Sequence, residues 1–178
     1  LVQWADMPRL GELLVGAGLL TPEQLEHALR AQVVWGGRLG TNLVELQLVD
    51  LDRVSRALGR QHRLPAALAA HFDGADPALQ RALSAELAAE LCCVPIARVG
   101  DAGHVVVATT GPLPGPQLAQ LAAALDVPPS TVVVAIAAEL RVRYQLERVY
   151  GIARPPRFLR ARGATVPSVP ALVVEPGG

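Results

Sequence analysis

The stretch RLGELLVGAGLLTPEQLEHALRAQ, residues 9–32, is answered five residues later by RLGTNLVELQLVDLDRVSRALGRQ, residues 38–61. At an offset of 29 residues, Arg9-Leu10-Gly11 falls on Arg38-Leu39-Gly40, Leu14-Val15 on Leu43-Val44, and Leu19 on Leu48. Ala28-Leu29 then falls on Ala57-Leu58, and Gln32 on Gln61. Nine of the 24 positions in each unit are identical, where chance would give roughly two, so the first third of the chain is a duplication.

Each unit has the spacing of two short helices. Leu10, Leu13, Leu14 and Ala17 keep helical period, and Gly18 follows as a stop. Thr21-Pro22-Glu23-Gln24 then reads as an N-cap with proline at the first helical position, and Leu25, Ala28 and Leu29 form the apolar face of the next helix. The second unit repeats the plan, with Asp50 as cap and Val54, Ala57 and Leu58 facing inward. The expectation is an α+β protein: an N-terminal bundle of four short helices built from two tandem 24-residue motifs, then a small α/β subdomain with a sheet of three or more strands.

Beyond the repeat the period changes. Asp76-Pro77 opens a helix through Leu83, and Ser84 caps another that runs to Glu90. Residues 94–99 and 104–108 are apolar, β-branched runs on either side of Gly100-Asp101-Ala102-Gly103, the pattern of a hairpin. Residues 117–125 read as a helix, 131–135 as a strand, and 138–150 as a closing helix with Leu140, Tyr144 and Val149 toward the core. The expected division is 1–64 for the helical part, 65–151 for the α+β part, and 152–178 for a Pro- and Arg-rich linker or tail. The chain opens on Leu1 rather than Met, as expected of a piece of a longer protein.

Composition narrows the function. Sixteen basic residues, all of them Arg, balance sixteen acidic ones, so no overall positive field steers the chain onto DNA or RNA. No apolar run is long enough to insert in a membrane, and the N-terminus lacks the basic-then-apolar pattern of a secretory leader. The only cysteines, Cys92 and Cys93, are adjacent and are expected to be reduced and partly buried, so the chain reads as cytoplasmic. Without lysine there is no phosphate-binding P-loop. Gly16-Ala17-Gly18 meets Thr21 where a dinucleotide fingerprint needs its third glycine. His27, His62, His71 and His104 show no metal-ligand spacing, and Ser55, Ser84 and Ser130 lie in no nucleophile elbow. No catalytic residue, metal site or cofactor is expected, and the chain is not read as an enzyme.

The doubled pattern R-L-G-x-x-L-h-x-x-G-h-h-x4-L-x3-L-x-x-Q, with h apolar, resembles the MshEN domain, the N-terminal domain of type II secretion and type IV pilus assembly ATPases. The resemblance runs from about residue 9 to the closing Tyr150-Gly151. It departs at three places: Gln47 stands for the corner glycine, Val54 for leucine, and Gly111 where the family often has aspartate in an Ala-Asp-Pro turn. The resemblance implies one cyclic di-GMP held by both motifs, with Arg9, Leu10, Gly11, Leu14, Leu25, Leu29 and Gln32 from the first. Arg38, Leu39, Gly40, Leu43, Val54, Leu58 and Gln61 are the counterparts from the second. The chemistry suits a nucleotide. Guanidinium stacks on purines and forks onto phosphate, leucine covers a guanine face, and glycine admits a close approach to backbone. Partners implied are a secretion or pilus platform protein and a downstream ATPase or signalling domain. The alternative is a protein-docking domain of such an ATPase that binds no nucleotide.

Overall fold

The computed structural model describes residues 7–155; the expected tail is therefore almost wholly outside the described residues, as are residues 1–6 of the helical part. The duplication folds as four helices: α1 (Leu10–Gly16), α2 (Pro22–Trp35), α3 (Leu39–Glu45) and α4 (Leu51–His62). Each motif arginine is the N-cap of the helix that follows it. Thr21 and Asp50 cap α2 and α4 by accepting the Gln24 and Arg53 N–H groups. These caps answer donors that the first helical turn leaves unpaired.

Leu14, Leu43 and Val54 are fully buried and, with Leu10, Leu20, Ala28, Val49 and Ala57, form the core of the bundle. The motif glycines make this packing possible. A Cβ on Gly11 would lie 2.7 Å from Leu25 Cδ1, and one on Gly40 would lie 2.9 Å from Val54 Cγ1. In both motifs the first helix is thus pressed against the second through the same pair of positions, and the smaller Val54 fits where Leu25 stands in the first copy.

The two helix corners have the same shape. Gly18 has φ of 68° and its counterpart Gln47 has φ of 58°. The Gly18 N–H bonds the Val15 carbonyl and the Gln47 N–H bonds the Val44 carbonyl, each at 2.9 Å. Since a residue with a Cβ pays about 1 kcal/mol or more in the left-handed region, Gln47 is strained. Gln47→Gly is expected to stabilise the chain by a few tenths to about 1 kcal/mol. A melting midpoint that falls instead would show that the Gln47 side chain makes a contact worth more than the strain.

Helices α5 (Ala69–Asp73), α6 (Pro77–Ala82) and α7 (Ala85–Leu91) lead into strands β1 (Cys93–Val99) and β2 (His104–Thr109). Helix α8 (Gly115–Ala124) and a short 3-10 turn carry the chain to β3 (Val132–Ile136), and α9 (Glu139–Tyr150) closes the fold. Among the described residues the sheet has three strands in the order β1-β2-β3, β1 antiparallel and β3 parallel to β2. Its core joins Val94, Ile96, Val105, Val107 and Ala135 to Phe72, Leu79, Leu83 and Leu121.

The face expected of α9 needs correction. Val142, Gln145 and Leu146 are buried, whereas Tyr144 is half exposed and Leu140 and Val149 are only partly covered. The reason is Arg141, whose guanidinium pairs with Asp52 of α4 and lies over the Phe72 ring. That cation occupies a turn of α9 that an apolar count assigns to solvent, beside Val142 and Leu146, which pack into the core of the sheet.

Several bonds tie the bundle to the sheet. The Ser55 hydroxyl accepts the Ala138 N–H at 2.9 Å and donates to the Leu51 carbonyl at 2.8 Å. Ile136 N–H donates to the Pro65 carbonyl at 2.7 Å, and Ala67 N–H donates to the Ile136 carbonyl at 2.8 Å. Burial raises the Asp52 carboxyl, but its bonds from Arg141 and the Ala69 N–H outweigh this and hold it below the usual range.

Candidate functional site

The two Arg-Leu-Gly turns meet. Leu10 of the first reaches over the second, its Cδ2 standing 3.5 Å from where a Gly40 Cβ would be. Helices α1 and α3 therefore begin side by side, each with an exposed arginine at its start. The segment between the motifs is held from both ends. Gln32 donates to the Gly37 carbonyl at 2.8 Å, while the buried Asn42 donates to the Gly36 and Arg38 carbonyls at 3.1 and 2.9 Å. Gln32 thus fixes the entry to the second motif, a task that also positions Arg38.

The two arginines differ in their surroundings. Arg9 enters no ion pair among the described residues; its backbone N–H is taken by the Glu12 carboxylate at 2.8 Å. Arg38 reaches the α+β part, with Nε 3.3 Å from Glu139 Oε2 and Nη1 donating to the Thr110 carbonyl at 3.0 Å. Gly111, one residue on, accepts from the Thr109 hydroxyl at 2.6 Å. At the turn where the resemblance leads one to expect aspartate, a backbone carbonyl and a carboxylate from α9 hold the arginine instead. Neither Thr110 nor Glu139 has a local sequence signal, because each meets Arg38 only through the tertiary fold.

The expected contact residues fall into two groups. Leu10, Gly11, Leu14, Gly40, Leu43 and Val54 are buried and shape the frame. Arg9, Leu25, Leu29, Gln32, Arg38, Leu39, Leu58 and Gln61 keep exposed surface, Leu29 most notably among the leucines at 43%. A groove of about 810 Å³ lies elsewhere, between the α3–α4 corner and Arg141, and is lined by none of these residues.

His62, next to Gln61, is lowered below its ordinary value by burial and by the charge of Arg38. The unfolded chain consequently takes up this proton first as pH falls. The stability contributed by neutral His62 is complete above about pH 6.5. It is expected to decline below that pH and to level off once the folded-state value is passed. Following the melting midpoint of wild type and His62→Gln through this range checks it: the wild-type midpoint should fall relative to that of the variant on acidification. Burial also raises both cysteine thiols, Cys93 to about 12, which makes them poor nucleophiles. Among the described residues no cluster of His, Cys, Asp or Glu could hold a metal ion, and no helix is long and apolar enough to cross a membrane.

No family model matches the chain. The chain is 36% identical over 105 residues to the type IV pilus assembly ATPase PilB of Thermus thermophilus, covering 59% of the chain and 12% of that protein. It is 29% identical over 150 residues to the PilB of Myxococcus xanthus, covering 83% of the chain and 25% of that protein. A solved structure of MshE with cyclic di-GMP superposes with a TM-score of 0.54 at 29% identity, covering 80% of the chain and 99% of that structure. Over most of its length the chain is thus similar, in sequence and in fold, to the MshE structure. It spans a quarter or less of the pilus ATPases it matches. The chain also has the feature that the doubled motif demands: two equivalent helix pairs meeting at their Arg-Leu-Gly starts.

Proposed function

We propose that this chain is an MshEN-like, non-catalytic receptor that binds one cyclic di-GMP across its two motifs and regulates a type IV pilus assembly ATPase in the cytoplasm. The observation that carries the proposal is the juxtaposition of the two Arg-Leu-Gly turns, each presenting an exposed guanidinium from an equivalent helix start. A ligand of two identical halves, each with a phosphate and a purine, suits two such half-sites. The MshE structure, with its cyclic di-GMP, supports the choice of ligand. Arg9 and Arg38 would fork onto phosphate or stack on guanine, and Leu25, Leu29, Leu39 and Leu58 would cover the purine faces. Gln32 and Gln61 would border the site. The buried motif residues would contribute by fixing the shape rather than by contact. In this division the described residues up to 64 would hold the ligand, and those from 65 to 151 would brace Arg38.

Titration of the purified chain with cyclic di-GMP tests this. Heat should report one molecule per chain, and the melting midpoint should rise with ligand, by about 2.7 kcal/mol of added stability at a hundredfold excess over Kd. GMP and GTP should do far less. The His62 resonance supplies a local check: phosphate beside Arg38 offsets the charge that lowers this histidine, so its titration midpoint should move up on binding. Absence of heat and of any midpoint shift at millimolar ligand would remove the proposal.

A further inference from the structure

Helix α4 carries a second positively charged feature, on a different face from the motif positions Val54, Leu58 and Gln61. Arg53, Arg56 and Arg60 are all exposed. Their spacing of three and four residues keeps them within about 60° around the helix and spreads them over about 10 Å of its length. Arg63 extends the row at the left-handed C-cap. Arg53 pairs with Asp50 at 3.4 Å, and Arg56 adds its charge to the field at Asp52. Arg56, Arg60 and Arg63 make no ion pair and no side-chain hydrogen bond among the described residues. In a chain of zero net charge, four arginines here face only two neighbouring carboxylates, Asp50 and Asp52, and Asp52 is also held by Arg141, so the row carries an excess of positive charge.

Concave apolar surface accompanies it. Between α1 and α4, Leu13, Ala17 and Leu19 line a notch of about 70 Å³ whose other wall is Arg53, Arg56 and Arg60. A second hollow is lined by Arg56, Arg60 and Arg63 with Gly59, Leu64 and Ala66. We infer that this row is a docking surface for an acidic amphipathic segment of a partner protein, its carboxylates on the arginines and an aliphatic side chain in the notch. Charge complementarity selects the acidic partner, and the narrow apolar notch selects a polypeptide side chain. Single-stranded nucleic acid would call for aromatic platforms, and the row is flanked by leucine, alanine and glycine. A helix that lies on a membrane keeps its apolar face for the lipid, whereas α4 buries Val54 and Ala57 in the bundle core.

The surface does not depend on the nucleotide proposal, and the test keeps the two apart. The probe is a synthetic helical peptide with glutamates at i, i+3 and i+7 beside one leucine, titrated into the purified chain at low and moderate salt. Binding should weaken with salt and fall about tenfold or more in the Arg56→Gln/Arg60→Gln double variant, about two charge-assisted bonds being lost. Cyclic di-GMP affinity and the melting midpoint of that variant should match wild type. Replacing the peptide's leucine by serine should weaken binding several-fold. Peptide binding that is absent, or equal in the double variant, overturns the inference. So does tighter binding of phosphatidylglycerol vesicles or duplex DNA than of the peptide, since either would assign the row to another class of partner.

Discussion

Gly59→Ala is expected to destabilise the chain by about 1–3 kcal/mol, the usual range for forcing a methyl group into packed surroundings. The new Cβ would stand 2.8 Å from the Leu64 carbonyl oxygen and 3.3 Å from Ala66 Cβ. Relief requires moving backbone, and this backbone is tied down. Leu64 N–H bonds the Gly59 carbonyl at 2.9 Å, and the next residues carry the Pro65 and Ala67 bonds to Ile136 of β3. Alanine's better helix propensity returns about 1 kcal/mol at most. Gly16→Ala is the control: a Cβ there meets nothing within 4 Å, so the same substitution should stabilise by about 0.4–1 kcal/mol. In a chain of this size about 1 kcal/mol moves the melting midpoint by about 2–4 °C, so the opposite signs are measurable. A Gly59→Ala midpoint at or above wild type would mean that the 64–66 turn moves freely and does not lock α4 to the sheet.

The helical part was legible because its signals are local and stated twice. The caps at Thr21 and Asp50, the stop at Gly18, and the leucines at helical spacing each fix a boundary within a few residues. The strands were legible through β-branched runs and the glycines between them. Helix α5 gives no such signal, since Ala69–Asp73 has one buried large side chain, Phe72, and a leucine in place of a capping side chain. The parallel pairing of β2 with β3 depends on a crossover through α8, which no period reveals. The phase of α9 is hidden from a local reading for a similar reason, because Asp52 lies 89 residues before the Arg141 it pairs with. The motif glycines are instructive too. A Cβ at either position would meet Leu25 or Val54, so the room they leave is filled by the protein's own side chains.

Arg9→Ala and Arg38→Ala should each weaken cyclic di-GMP binding by about 1–3 kcal/mol, or roughly five- to 150-fold, the scale of a lost charge-assisted contact. Stability should change little, because both arginine side chains are exposed and the mostly covered Glu139 keeps Arg143 at 3.4 Å when Arg38 is lost. The structure adds an asymmetry that a doubled motif conceals. Arg9 is unpaired among the described residues, whereas Arg38 would have to be shared with, or taken from, Glu139 to grip a phosphate. Glu139→Gln should therefore tighten binding, since Arg143, 3.4 Å away on the next turn, remains to occupy the α9 side of the site. The gain should survive in the Arg9→Ala background and vanish in the Arg38→Ala background, a coupling that a double-mutant cycle isolates. Wild-type affinity in both single arginine variants would show that the half-sites lie elsewhere, even with cyclic di-GMP as the ligand. A gain from Glu139→Gln that persists without Arg38 would show that Glu139 opposes the ligand through its own charge and not by competing for this guanidinium.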